Sequence, residues 1–312
     1  MLTASFLTLA GIALLLVAGD ALVRGAIALS LKLGLSATLI SVTVVALGTS
    51  APEFVISIEA ALDGSPDIAL GNVVGSNIAN TLLIIGVPAL LAPLATGAPE
   101  LMRNYLAMIF ATVLFSGLAL TGEFGRISGG VLLFALVVSL YYSYRASEPQ
   151  SAGELAEDAP QSGLKITTLI LLGIILLPVG AYLLIDGARG VAMQFELSEA
   201  AIGLTIVALG TSLPELAASS AAAMRGRGDV AIGSILGSNM LNLLLVLGAT
   251  AAISPLVVAK SFQTVDIPIM AGACLLIGPF LLRHRPIGRV AGVAFVLFYA
   301  AFVILALGDV SF

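Results

Sequence analysis

Residues 40–57 read ISVTVVALGTSAPEFVIS, and residues 69–86 read ALGNVVGSNIANTLLIIG. The pattern returns at 202–219 as IGLTIVALGTSLPELAAS and at 231–248 as AIGSILGSNMLNLLLVLG. Residues 36–94 align with 198–256 at a constant offset of 162 without a gap, and 28 of the 59 positions are identical. Self-similarity at a fixed offset is the signature of a duplicated structural unit. The duplicated letters include Glu, Ser, Thr and Asn, polar residues that are expensive inside a membrane and mark function there.

The sequence around these stretches is built for lipid. Of 312 residues, 59% are apolar and 10% charged, against roughly 25% charged in an average soluble protein. Mean hydropathy is +1.13. An ordinary soluble enzyme is excluded. Ten apolar stretches stand out, at about 2–22, 36–62, 68–93, 103–121, 127–145, 164–185, 198–224, 229–254, 264–282 and 287–308. Each approaches or exceeds the ~20 residues that cross a hydrocarbon core as a helix, and none shows the ~10-residue alternation of a membrane β-barrel strand. The expected fold is an all-α polytopic membrane protein of ten transmembrane helices.

Charge sets the expected orientation. With the N-terminus outside, the inner loops and flanks hold Arg24, Lys32, Arg103, Arg145, Lys165, Arg225, Arg227, Arg283, Arg285 and Arg289, and the outer ones hold Arg126, Arg189 and Lys260. Ten against three satisfies the positive-inside rule. Both termini are then outside. The first apolar stretch has no Lys or Arg ahead of it, so it reads as a retained helix rather than a signal peptide. The hydrophilic stretch 146–163, rich in Pro, Gly, Ser and acidic residues, reads as a cytoplasmic linker between a first membrane half, 1–145, and a second, 164–312. Five spans per repeat is an odd number, so the second copy should be inverted, an arrangement common among secondary transporters. Broken helices are then expected at the midplane.

The repeat carries the candidate chemistry. Glu53 and Glu215 are the acidic residues well inside expected spans, and a carboxylate at the bilayer centre costs a few kcal/mol on insertion scales. Two of them at equivalent positions neutralise one divalent cation. Pro52 and Pro214 have no N–H to give the carbonyls of Gly48 and Gly210, so each helix should break just before its Glu. Carbonyls freed in lipid need partners, and a cation is one. Thr49, Ser50, Thr211 and Ser212 add hydroxyls. Ser76 and Asn80, like Ser238 and Asn242, are four apart and share a helix face. Gly71 and Gly75, and Gly233 and Gly237, form G-x-x-x-G pairs that admit a neighbouring helix. Asn77 and Asn239 lie about 100° round from the serines and serve equally well as interhelical hydrogen-bonding groups. The donor set is all oxygen, suited to Ca²⁺ or Na⁺. Softer metals want Cys, Met or His, which these motifs lack. The single Cys274 and single His284 leave no disulfide and no His-rich centre. Net charge is −5, which disfavours nucleic acid as a partner, and there is no phosphate-binding Gly loop with Lys for ATP.

The paired GTSAPE/GTSLPE and GSNIAN/GSNMLN segments resemble the two alpha repeats of the cation/calcium exchanger superfamily, in its prokaryotic-type sodium/calcium exchanger branch. The resemblance runs the length of the chain and is sharpest at 36–94 and 198–256. It implies a secondary-active antiporter in a prokaryotic plasma membrane, exchanging Na⁺ inward for Ca²⁺ outward by alternating access, with no cofactor and no obligatory protein partner. It implies Glu53 and Glu215 as central Ca²⁺ ligands, with backbone carbonyls of Thr49 and Thr211. It puts Ser50, Ser76, Ser212 and Ser238 and the carbonyls of Ala46 and Ala208 at flanking Na⁺ sites, and it has spans one and six slide against the other eight. One departure is that some such exchangers carry Asp at the place of Asn242; here both Asn80 and Asn242 are amides. That leaves H⁺ or K⁺ open as counter-ion. The proton/calcium branch shows GNxxE where this chain has GTSxPE, which favours Na⁺. A cation channel would use the same oxygens, and an intramembrane hydrolase would lack an oxyanion hole.

Of the remaining polar residues, Asp20 has Tyr182 as its repeat mate and reads as a solvated residue near the inner end of span one. Glu59, Asp63 and Asp67 read as an outer helix end and loop.

Overall fold

The computed structural model describes residues 2–147, 162–194 and 210–308. The helices are α1 (Leu2–Leu33), α2 (Ala37–Thr49), α3 (Ala51–Leu62), α4 (Pro66–Leu91), α5 (Pro99–Ala119), α6 (Arg126–Arg145), α7 (Gly163–Gln194), α8 (Leu213–Met224), α9 (Gly228–Ile253), α10 (Phe262–Leu282) and α11 (Arg289–Gly308). Seven among the described residues are long and apolar enough to cross a membrane. An eighth span forms if α2 and α3, bent by 48° between them, are taken together. The apolar part of α11, Arg289–Leu305, is shorter, and α8 follows residues 195–209, which lie outside the described set. The fold is an all-helical polytopic membrane protein. The first helix runs to Leu33, well past the expected end near residue 22: the polar residues Asp20, Arg24 and Lys32 lie within it without ending it, and the turn comes at Gly34, where φ is +66°.

Burial separates inner helices from outer ones. In α9 the most apolar window is 94% buried and in α4 78%, against 22% in α7. The two central helices carry the G-S-N-x-x-N motifs. Antiparallel to each other, α1 and α7 pack side by side through small residues: a Cβ on Gly173 would lie 2.5 Å from Leu22 Cβ, and one on Gly11 2.5 Å from the Leu184 nitrogen. In lipid, close backbone approach of this kind takes the place of a hydrophobic drive between helices.

Helix ends gather in two sets. In one, Ser36 N–H donates to Ser147 Oγ (3.1 Å), Leu94 and Ile287 exchange backbone hydrogen bonds (2.9 Å each), and Thr96 Oγ1 donates to the Arg285 carbonyl (2.9 Å). In the other, β1 (Glu123–Phe124) pairs antiparallel with β2 (Leu256–Val257), Val258 N–H donates to Gly122 O, and Ser254 Oγ to Ala61 O. These contacts satisfy the backbone where helices end and connectors turn. Leu94 and Leu256 are repeat mates, 162 apart, and each makes an antiparallel pairing, with Ile287 and Phe124 respectively.

Candidate ion-binding site

Four segments converge on the middle of the molecule: the α2–α3 junction, the start of α8, and the central parts of α4 and α9. The first is broken as expected. Ser50 has φ −82° and ψ 7° between the two helices, and Pro52 sits in the first turn of α3. Across the break, Ser50 N–H still donates to Ala46 O and Phe54 N–H to Ser50 O, while the Gly48 carbonyl has no N–H on Pro52 to receive. The equivalent Ser212, φ −88° and ψ 2°, precedes α8 with Pro214 in its first turn. Ala208 and the other residues leading to Gly210 lie outside the described residues.

Glu53 and Glu215 are both completely buried, and they are close enough to act on each other electrostatically. Each has at least one side chain from the other repeat beside it. Ser50 Oγ donates to Glu215 Oε1 at 3.2 Å across 165 residues of sequence, and Thr49 lies beside the same carboxylate. Ser76 and Thr211 lie beside the Glu53 carboxylate without closing a hydrogen bond of good geometry, because both Glu53 oxygens are left without a partner. The Thr49 hydroxyl turns back to the Ala46 carbonyl, at 3.3 Å. Ser212, Ser238, Asn80 and Asn242 are buried as well.

Among the described residues, twelve buried side-chain atoms have no hydrogen-bond partner: both oxygens of Glu53, both amide atoms of Asn80 and of Asn242, Glu215 Oε2, Asn77 Oδ1, Asn239 Oδ1, Ser219 Oγ, Ser234 Oγ and Ser238 Oγ. Every one belongs to the four stretches of the duplicated motif. Buried polar groups are ordinarily satisfied, and each exception asks for a reason. For the oxygens of Glu53, Glu215, Asn80, Asn242 and Ser238 a bound cation meets that demand, and carboxylate, amide and hydroxyl oxygens suit a hard one. The described residues hold no group of three or more His, Cys, Asp or Glu side chains, so the charge available at the centre is that of two carboxylates.

Two features here have no sequence signal. Residues Ser41–Val45, just before Ala46, and Asn242–Val246, starting at a candidate ligand, form π-helical turns. Such turns shift the register of a helix by one residue and recur at functional sites. The two motif asparagines also part company. Asn239 Nδ2 donates to Thr81 Oγ1 on α4 at 2.9 Å and so ties α9 to α4, whereas Asn77 Nδ2 returns to the Val73 carbonyl of its own helix at 2.7 Å. Asp20 is not merely solvated: Arg225 Nε donates to it at 2.6 Å, joining α1 to the end of α8, with Arg24 a further 3.9 Å contact. Periodicity could not show that pair, 205 residues apart. Glu59, Asp63 and Asp67 are exposed, as expected, and so is His284.

The sodium/calcium exchanger protein family matches residues 3–145 and 165–308. The chain belongs to this family. Among similar proteins, the inner membrane protein YrbG of Escherichia coli (strain K12) is 35% identical over 303 residues, covering 94% of this chain and 93% of YrbG. The sodium/calcium exchanger MaX1 of Methanosarcina acetivorans is 31% identical over 354 residues, covering 98% of this chain and 99% of MaX1. Among solved structures, the sodium-calcium exchanger NCX_Mj soaked with zero Na⁺ and Ca²⁺ superposes with a TM-score of 0.85 at 29% identity, over 97% of this chain and 99% of that one. Family membership and the convergence of the duplicated motifs thus come from separate observations.

Proposed function

We propose that this protein is a secondary-active antiporter that moves Na⁺ inward and Ca²⁺ outward by alternating access at one site between Glu53 and Glu215. The observation that carries this reading is that, among the described residues, the twelve unpartnered buried side-chain atoms all fall in the duplicated motif, eight of them on Glu53, Glu215, Asn80, Asn242 and Ser238. Two carboxylates balance one Ca²⁺, and releasing it leaves two buried like charges that need replacing cations. That linkage is what makes a carrier an exchanger. Glu53, Glu215 and the backbone carbonyls of Thr49 and Thr211 bind Ca²⁺. Ser50, Ser76, Ser212 and Ser238 and the carbonyls of Ala46 and Ala208 line the Na⁺ sites, and the amide oxygens of Asn80 and Asn242 face the shared centre and serve Ca²⁺ and Na⁺ alike. No residue of the set acts as a catalyst.

The chain is arranged as two halves, 1–145 and 164–312, of five spans each, the second inverted, with 146–163 as a cytoplasmic linker and both termini outside a prokaryotic plasma membrane. Inversion is supported by the repeat mates Leu94 and Leu256, whose pairings fall in opposite sets of helix ends. The orientation follows the cations, since Arg225 and Arg285 share the side of the linker. The peripheral pair α1 and α7 slides on the other helices to expose the site to either face in turn.

The test is ⁴⁵Ca²⁺ uptake into proteoliposomes loaded with Na⁺, with K⁺-loaded vesicles as control. Uptake from Na⁺-loaded vesicles alone is expected, together with its loss in purified, folded Glu53→Gln and Glu215→Gln. Equal uptake from both vesicle types would remove Na⁺ as driver, and a pH gradient would be tried next. Flux down a Ca²⁺ gradient with no counter-ion would make the protein a channel.

A further inference from the structure

The two repeats differ one helical turn beyond their glutamates. In the first, Asn72 of α4 reaches across to α3 and closes the junction: its Nδ2 donates to the Glu53 carbonyl at 3.0 Å and to Ser57 Oγ at 2.8 Å. Ser57 lies four residues after Glu53, and Asn72 four before Ser76. In the second repeat these places are taken by Ser219, four after Glu215, and Ser234, four before Ser238. Serine at 234 is smaller than asparagine by two heavy atoms, roughly the room of one water. The amide bridge is therefore missing. Both hydroxyls are 1% exposed, and both lack a hydrogen-bond partner. Two orphaned hydroxyls at the place where the first repeat puts a bridging amide form a small polar site, too poor in oxygens to strip an ion and well suited to water, which wants two to four polar partners.

The geometry points to a bound water between Ser219 and Ser234, which is the first hydration site an ion meets when it leaves the carboxylate pair toward the Arg225 face. On the opposite face Asn72 fills the equivalent position with its own amide. The two routes out of one pseudo-symmetric site are thus built differently: a fixed amide lines one and exchangeable solvent the other. An ion leaving Glu215 regains part of its hydration shell at the first turn, which lowers the barrier to release. This inference rests on the exchanger reading for the role of the water, but not for its presence.

Two measurements test it. In a high-resolution crystal structure, one ordered water is expected within hydrogen-bond distance of both Ser219 Oγ and Ser234 Oγ. Hydroxyls bonded to each other or to backbone carbonyls, with no solvent density between, would overturn the proposal even if exchange activity is normal. In proteoliposomes, Ser234→Asn supplies the amide and displaces the water. Its Na⁺-dependent ⁴⁵Ca²⁺ turnover is expected to fall tenfold or more, while the Ca²⁺ dissociation constant of the purified protein stays within threefold. Ser234→Ala leaves the room and Ser219, and is expected to slow turnover less than threefold. Wild-type turnover in Ser234→Asn, or equal slowing in the two variants, refutes the role. Should Ser234→Asn fail to fold, the Ser219→Ala/Ser234→Ala double variant replaces it: turnover at least fivefold down supports the role, and wild-type turnover refutes it. If the wild type itself shows no Na⁺-dependent uptake, the exchanger reading fails, and the crystallographic water is judged separately.

Discussion

Gly237→Ala adds one methyl group to a crowded backbone contact beside the site. A Cβ there would lie 2.5 Å from the Val42 carbonyl oxygen, 2.6 Å from Val42 Cα and 2.9 Å from Ala46 Cβ. Non-bonded carbon atoms rest at about 3.5–4.0 Å, so α9 has to back away from α2 by roughly 1 Å. The neighbours are backbone and a short side chain, which cannot swing aside. Ca²⁺–oxygen distances span only about 2.3–2.6 Å, so a shift of that size takes ligands on α9 out of range of those on the α2–α3 junction. Ser238 is the next residue and Asn242 is little more than one turn on. Overpacking of this kind costs about 1–3 kcal/mol. Charged to ion binding, that is about a five- to 150-fold loss of Ca²⁺ affinity. The assay is Ca²⁺ titration calorimetry on the purified protein, alongside ⁴⁵Ca²⁺ uptake and thermal unfolding in detergent. Gly117→Ala is the control, since a Cβ at this exposed position of α5 meets nothing within 4 Å; in a helix interior the change is neutral or stabilising by up to about 1 kcal/mol. Unchanged Ca²⁺ affinity and thermal midpoint in Gly237→Ala would refute the claim that α2–α9 contact positions the ligands.

Further expectations follow from individual contacts. Ser50→Ala removes the 3.2 Å bond to Glu215, a bond to a charged group of the kind that contributes about 1.5–3 kcal/mol; the half-saturating Na⁺ concentration for exchange should rise about tenfold or more, and an unchanged value would detach Ser50 from the site. Asp20→Asn and Arg225→Gln each break the link between α1 and α8. An exposed pair contributes at most about 1 kcal/mol, so the thermal midpoint should barely move, but the turnover rate should change if α1 slides during transport. The charge-swapped double variant should restore it, and three wild-type turnover rates would remove the pair from the moving interface. Asn239→Ala loses the bond to Thr81 and should lower stability by about 1–2 kcal/mol with Ca²⁺ affinity within twofold, whereas Asn242→Ala should do the reverse. Matching effects of the two would contradict the division of roles between them.

The polar pattern made most of the site legible. Glu, Ser, Thr and Asn are conspicuous in apolar helices because lipid offers them no partners, so their duplication at a fixed offset pointed to a single shared centre. The break before Glu53 was readable too, since Pro52 removes a helical donor wherever it stands. Other features left no trace in composition. The π-turns at Ser41–Val45 and Asn242–Val246 contain no Pro or Gly that would mark them in the sequence. The extension of α1 to Leu33 escaped because a charged residue can sit inside a helix when its side chain finds a counter-charge, and for Asp20 that is Arg225.

The sequence by itself determined the membrane class, the duplication and the oxygen chemistry, because each depends on residue type and local spacing. Tertiary structure decided which oxygens face which: that Ser50 serves Glu215 rather than its own neighbour Glu53, that Asn239 bridges helices while Asn77 does not, and that Asn72 closes a junction which Ser234 leaves open. Those outcomes depend on how helices from the two repeats cross, and the crossings are set by close contacts such as Gly237 on Val42, between residues far apart in the chain.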